Sequence, residues 1–248
     1  MGDISNWDTS NVKCMNSMFY GCINFNQILE WDTSKVTDMS YMFYGCINFN
    51  QILEWDTSKV TDMSNMFYGC VNFNQPLNWD TAKVTDMNAM FWLRKLQPDL
   101  KLGYVASYGY EFYVLWRINF NHLGWDTSKV TDMDYMFADC VNFNQPLNWD
   151  TSKVADMTDM FAGCVNFNQR LEWDTSKVTD MSHMFLLLNF NQPLGWDTSK
   201  VTVMNSMFSG CVNFNQPLNW DTSQVTDMIY MFSGCVNFNQ LLEWDLSR

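Results

Sequence analysis

Seven of the eight cysteines, Cys22, Cys46, Cys70, Cys140, Cys164, Cys211 and Cys235, share one position of a repeat, and Cys14 stands where that repeat otherwise carries Asp. A column of sulfur could do three things. Stacked neighbours would fall inside the Cα window of a disulfide. Thiolates could hold zinc, although no C-x-x-C pair is present. Or each thiol could pack as a small hydrophobe. Parallel Cβ vectors and core-type flanking residues favour the third, buried free thiols. Aspartate occurs twice per repeat, as in Asp32 and Asp38 around Lys35. Columns of Asp could gather the 6–8 oxygens that Ca²⁺ takes. The plainer role is to cap turns and to pair with the lysines Lys35, Lys59, Lys83, Lys129, Lys153, Lys177 and Lys200. A tryptophan column could form an exposed strip for carbohydrate, but Trp follows Leu at strand alternation and reads as core. Thr33 and Thr37 lie four residues apart and do not make one flat threonine face of the kind that binds ice.

Catalysis finds little to work with. The two histidines, His122 and His183, are both off consensus. No nucleophile elbow, phosphate loop or paired metal-binding His is present. An array of near-identical units also lacks the one asymmetric site that catalysis needs. We therefore expect no catalytic residues, no metal ligands, no cofactor and no enzyme.

What must position any site is the repeat itself. Trp-Asp recurs at Trp7, Trp31, Trp55 and Trp79, then at Trp125, Trp149 and Trp173, with a spacing of 24; Trp196 comes one residue early, and Trp220 and Trp244 resume the count. The unit reads W-D-T-S-K-V-T-D-M-S-x-M-F-x-G-C-V-N-F-N-Q-P-L-N. A period in the 20–50 range marks solenoids, propellers or arrays. A unit this small cannot bury its own apolar face and must stack on its neighbours. In the unit opening at Trp55, the spacing of Val60, Met63, Met66, Phe67 and Cys70 predicts a short helical turn. Thr61 or Asp62 would cap it, and Gly69 would end it. Val71-Asn72-Phe73 and Leu77-Asn78-Trp79 alternate like short strands, with Pro76 interrupting them. Asp56-Thr57-Ser58 is a turn. The expected fold is a repeat solenoid, leucine-rich-repeat-like or β-solenoid. It would have about nine right-handed 24-residue coils, short parallel strands and a short helical turn, and would form one array over residues 1–248. Amide columns, Asn24, Asn48 and Asn72 among them, would bond from coil to coil.

The run V-T-D-M-x-x-M-F-x-G-C-x-x-F-N-Q-P-L-x-W-D-T-S resembles the repeat of BspA-like leucine-rich-repeat surface proteins, which also occurs in mycoplasma-type surface lipoproteins as a domain of unknown function. The resemblance covers nearly the whole chain except residues 92–117. It implies a leucine-rich-repeat-like solenoid, surface display and adhesion, and it brings no catalytic residues.

Residues 92–117 break the pattern and hold Arg94, Lys95, Lys101 and Arg117. One choice of codons for residues 99–116, read one nucleotide later, spells I-L-N-W-D-T-S-Q-V-T-D-M-S-F-M-F-Y-G. Residues 92–98 likewise become G-C-V-N-F-N-Q. We read the segment as one coil hidden between two compensating frameshifts rather than as a binding loop. Phe185-Leu186-Leu187-Leu188-Asn189, one residue short of consensus, reads as a smaller lesion of the same kind.

The net charge of −13 argues against nucleic acid, whose phosphates need clustered Lys and Arg, and against an anionic membrane surface. No apolar run approaches the ~18 residues of a membrane span. The start, Met1-Gly2-Asp3-Ile4-Ser5-Asn6, shows neither a secretory leader nor a myristoylation pattern. Because ordinary repeat stands at both ends, we read the chain as a piece of a longer protein, whose location stays open between cell surface or secreted and cytoplasmic. The expected function is protein interaction or adhesion through an extended ladder face. The alternative is a structural solenoid stabilised by Ca²⁺, without a specific partner.

Overall fold

A computed structural model describes residues 3–5, 7–93 and 123–244. Counting from Trp7, each Trp opens a layer, and equivalent residues of successive layers lie over one another in parallel register. The marker is a row of single parallel bridges, Cys14 to Asp38, Asp38 to Asp62, Asp62 to Asp86, Asp86 to Asp132, and onward to Val203 and Asp227. Asp86 pairs directly with Asp132, so the layer of Trp79 sits on that of Trp125. Trp125 donates its indole N–H to Leu77 O at 3.1 Å across that seam. Residues 94–122 lie outside the described residues, and with them falls nearly all of the segment expected to be irregular.

The segment expected to be a helical turn is built differently. Among the described residues there is no α-helix, and strand pairing is confined to isolated bridges. In the layer of Trp55, Met66 N, Tyr68 N and Cys70 N bond the carbonyls three residues back, those of Met63, Asn65 and Phe67. The intervening Met63 N, Asn65 N, Phe67 N and Gly69 N instead reach the next layer, to Asp86 O, Asn88 O, Met90 O and Trp92 O, at 2.8–3.1 Å. Alternate amides thus serve the turn and the stack. A left-handed residue, Asn65 at φ 55°, breaks the helical path. The strands expected at 71–73 and 77–79 are likewise unpaired as ladders; the bridge falls at Asp62, where the chain was expected to begin its helix.

The core is a set of aromatic and aliphatic columns. Consecutive tryptophans lie nearly parallel, 6.4 Å apart for Trp31 and Trp55. Within a layer Phe43 stacks on Phe49 at 4.1 Å, and Phe43 continues to Phe67 at 5.5 Å. Val60, Met63 and Met66 are fully buried beside them. Burial of so much apolar area against neighbouring layers is the main stabilising term. Polar groups inside it are paired. Thr57 Oγ1 donates to Asp80 O at 2.8 Å, and Trp55 Nε1 donates to Leu29 O at 3.1 Å. No buried side-chain nitrogen or oxygen among the described residues lacks a partner, which is what a buried polar column requires.

The short unit at 185–189 is absorbed locally. Leu187 takes the left-handed position usually held by Gly, at φ 64°. Leu188 replaces the cysteine and is buried. Asn189 N still reaches Val165 O at 3.2 Å, so the missing residue costs the stack no register.

Candidate functional site

The repeated side chains are committed to the fold. Cys70 Sγ donates to Phe43 O at 2.9 Å, and the thiols of Cys46, Cys70, Cys140, Cys164 and Cys211 are buried and free. Burial pushes the Cys46 thiol up to about 12. The tryptophan column is interior, Trp149 being 6 % exposed, and offers no strip to sugar. Thr33 is buried while Thr37 is exposed, so the two threonines lie in different settings. Asn72 Nδ2 donates to Asn48 Oδ1 at 3.3 Å, and Gln75 Nε2 to Asn50 Oδ1 at 3.1 Å.

The aspartates cap turns as expected, but they are not held by the lysines. Asp56 Oδ1 accepts Ser58 N at 2.9 Å, and the Ser58 hydroxyl and amide hold the Asp56 carboxyl below its ordinary value, with Lys59 a lesser cause. Lys35 donates to Asn11 Oδ1 at 2.9 Å instead. No lysine closes an ion pair among the described residues. The carboxylate is already engaged by its own turn, which leaves the lysines to solvent. Among the described residues no three His, Cys, Asp or Glu gather as they would around a metal ion.

Among the positions that vary from unit to unit are two columns, the x of M-S-x-M-F and the x of M-F-x-G. The first column holds Ser17, Tyr41, Asn65, Ala89, Tyr135, Asp159, His183, Ser206 and Tyr230, every one at positive φ between 49° and 58°. Left-handed backbone is unfavourable for such residues, and the amide bonds to the next layer impose it, as Asn65 N to Asn88 O does. The second column opens with Tyr20, Tyr44, Tyr68 and Trp92.

Together these columns make a continuous aromatic run. Tyr20 stacks on Tyr44 at 4.5 Å and Tyr44 on Tyr68 at 4.3 Å. Trp92 meets Tyr68 edge-on at 5.2 Å and stacks on Tyr135 at 4.3 Å. Tyr20 is 55 % exposed and Tyr41 37 %. Burial, with Tyr68 and Tyr20 on either side, raises the Tyr44 hydroxyl above its ordinary value. Beyond Tyr135 the run turns polar. Burial, together with the nearby Asp159 carboxylate, pushes the Tyr135 hydroxyl up to about 12. His183 Nδ1 lies 3.4 Å from Asp159 Oδ2. Burial raises the Asp159 carboxyl, against the opposing pull of His183. Trp92 Nε1 donates to Asp139 Oδ2 at 3.3 Å.

Asp159, His183 and Ser206 follow one another in this column, but Ser206 Oγ donates to Asn205 Oδ1 at 2.7 Å. The hydroxyl is thereby turned to its neighbour, and the structure records no bond from it to the imidazole. The arrangement suits recognition: aromatic edges and hydroxyls over several layers, then a carboxylate and an imidazole. Attention to the repeated residues missed these columns. The signal was the variation at these two positions from unit to unit.

The chain belongs to the family described as "Mycoplasma protein of unknown function, DUF285", which matches residues 1–101, 108–195 and 171–248. No curated protein and no solved structure matches it. Among the described residues no helix is long and apolar enough to cross a membrane.

Proposed function

We propose that this chain is a repeat solenoid of the leucine-rich-repeat-like or β-solenoid class, acting as a non-enzymatic surface for protein interaction or adhesion in the manner of BspA-like surface proteins. One observation carries the reading. The repeated Trp, Phe, Met, Val and Cys side chains are tied into the stack, whereas two variable columns between Tyr20 and Tyr230 bring exposed side chains such as Tyr20, Tyr41 and Tyr230 to the surface beside buried ones such as Tyr68, Ala89 and Ser206. A scaffold with fixed internal chemistry and free surface columns is how repeat arrays present extended binding surfaces. Tyrosine suits that role, since it supplies large contact area at small entropic cost. No cofactor enters the reading. The partner meets many layers at once, so affinity falls in steps as layers are removed.

The test is binding of the whole chain to host-cell or matrix proteins, with alanine scanned through the two columns and, separately, through the outward Asp, Lys, Asn and Thr positions. Graded losses confined to the columns support the reading. A single substitution outside them that abolishes binding with the fold intact would point to a discrete site elsewhere.

A further inference from the structure

A second surface lies in the triplet ahead of each Trp. Where a triplet with central Leu begins with Pro, it ends with Asn or Gly; where it begins with Ile, Arg or Leu, it ends with Glu. The central residue is buried, as Leu29, Leu53 and Leu171 show. Its neighbours therefore face out, and Ile28 and Ile52 are 57 % and 55 % exposed.

In the layer of Trp149 the triplet is Arg170-Leu171-Glu172, and Arg170 Nε lies 2.8 Å from Glu172 Oε1. That carboxylate has its cation. In the layers of Trp7 and Trp31, Ile28 and Ile52 replace the arginine, and Glu30 and Glu54 have no ion-pair partner among the described residues. The two triplets border clefts of about 510 Å³ and 560 Å³ that share Ile28 and Glu30 and so run together. The cleft beside Arg170 is of similar size, about 510 Å³, and is lined at the same unit positions. One cleft thus carries a built-in cation, and the other pairs an aliphatic wall with two carboxylates one layer apart.

We propose that the cleft of Ile28, Glu30, Ile52 and Glu54 receives an extended basic segment of a partner protein. Two Arg or Lys side chains would supply the cations that Arg170 supplies to Glu172, and an apolar residue between them would cover the isoleucines. Charge-assisted pairs to carboxylate give such a contact its strength, and the acidic surface speeds encounter. This site is separate from the two columns and uses none of their residues.

The experiment uses the full chain and a labelled, end-capped hexapeptide of alternating arginine and leucine, read by fluorescence anisotropy. Glu30→Gln with Glu54→Gln weakens binding at least tenfold, and Ile52→Ser weakens it at least threefold. Glu172→Gln leaves it unchanged, because that carboxylate is already paired. Arg170→Ile frees Glu172 but adds no second binding equivalent, because Pro146 and Asn148 stand where the proposed cleft has Ile28 and Glu30. Tyr20→Ser with Tyr44→Ser leaves the peptide bound, which separates this cleft from the columns. Full binding by the Glu30→Gln/Glu54→Gln protein overturns the proposal. So does an equal loss on changing Asp126→Asn and Asp150→Asn, which would show that net charge alone attracts the peptide.

Discussion

Trp149 donates its indole N–H to the carbonyl of Leu123 at 3.1 Å, across the boundary between two layers. The same bond recurs from Trp173 to Leu147 and from Trp220 to Leu194. Each tryptophan therefore joins layers by stacking and by a directed bond inside the core.

The two contributions separate by mutation. Trp149→Phe keeps most of the buried ring but leaves the Leu123 carbonyl without its donor, at about 1–3 kcal/mol. Trp149→Ala and Phe73→Ala open cavities and cost about 3–5 kcal/mol each. Lys153→Ala changes stability by less than about 1 kcal/mol, as exposed charges do. Urea unfolding of the four variants against the parent gives these values directly.

Ala89 sits at φ 49° in the first variable column. Relief of left-handed strain is worth about 1–2 kcal/mol, and the added freedom of glycine in the unfolded chain takes back about 0.5–1 kcal/mol. Ala89 is buried, so losing its methyl takes back about 0.8 kcal/mol more, and Ala89→Gly should stay within about 0.5 kcal/mol of the parent. Gly163→Ala should destabilise: at φ 74° an added Cβ would run into the Asp139 carboxylate. Thermal melts in one buffer decide both.

Asp134 stands where other units carry Ser or Asn, as at Ser40, Ser64 and Asn88, and its carboxyl accepts the side-chain amide of Asn88. Burial first, then the adjacent Asp132, pushes it up to about 7. The folded protein then binds this proton more tightly than the unfolded chain does. Its contribution is fully present below the unfolded value near 4 and is lost as pH rises to about 7. Asp134→Ser removes that slope. Relative to the parent, it should gain about 1–2 kcal/mol above pH 7, a figure discounted for a carboxyl half open to water. Denaturant midpoints of parent and variant from pH 4 to 8 supply the comparison; parallel curves would refute the assignment.

Thiol reactivity reports the cysteine column. Cys14 is exposed, Cys22 and Cys235 are half-buried, and the other five are buried. A thiol-specific chromogenic reagent should modify Cys14 quickly, Cys22 and Cys235 slowly, and the remainder only after unfolding. Burial favours the thiol over the reactive thiolate. Rapid native modification of Cys70, identified by mass mapping, would contradict the buried column.

The period, the inward Trp, Phe, Met and Val, the buried thiols and the Asp turns were legible because each recurs with its chemistry intact. The helical turn was misread for a definite reason. Val60, Met63, Met66, Phe67 and Cys70 have the spacing of a helix face, and consecutive turns whose alternate amides leave for the next layer produce the same spacing. Nothing about Tyr41, Ala89 or His183 as residue types announces a positive φ, since the stack imposes it. Lysine pairing was misjudged because Asp56 is already engaged by Ser58. The columns from Tyr20 onward were hard to see because a repeat directs attention to what is constant, and these residues are what is not.

The seam between Asp86 and Asp132 joins residues 46 apart in the chain by the same bridge that elsewhere joins residues 23 or 24 apart. The layer of Trp79 therefore takes that of Trp125 as its neighbour through the same contacts that join layers 24 residues apart. Whole units can be gained or lost by recombination between near-identical stretches of coding sequence without a new interface having to evolve. The length of the array is then a quantity that selection can adjust in steps of one layer, setting how far the columns reach while leaving the chemistry of each step unchanged.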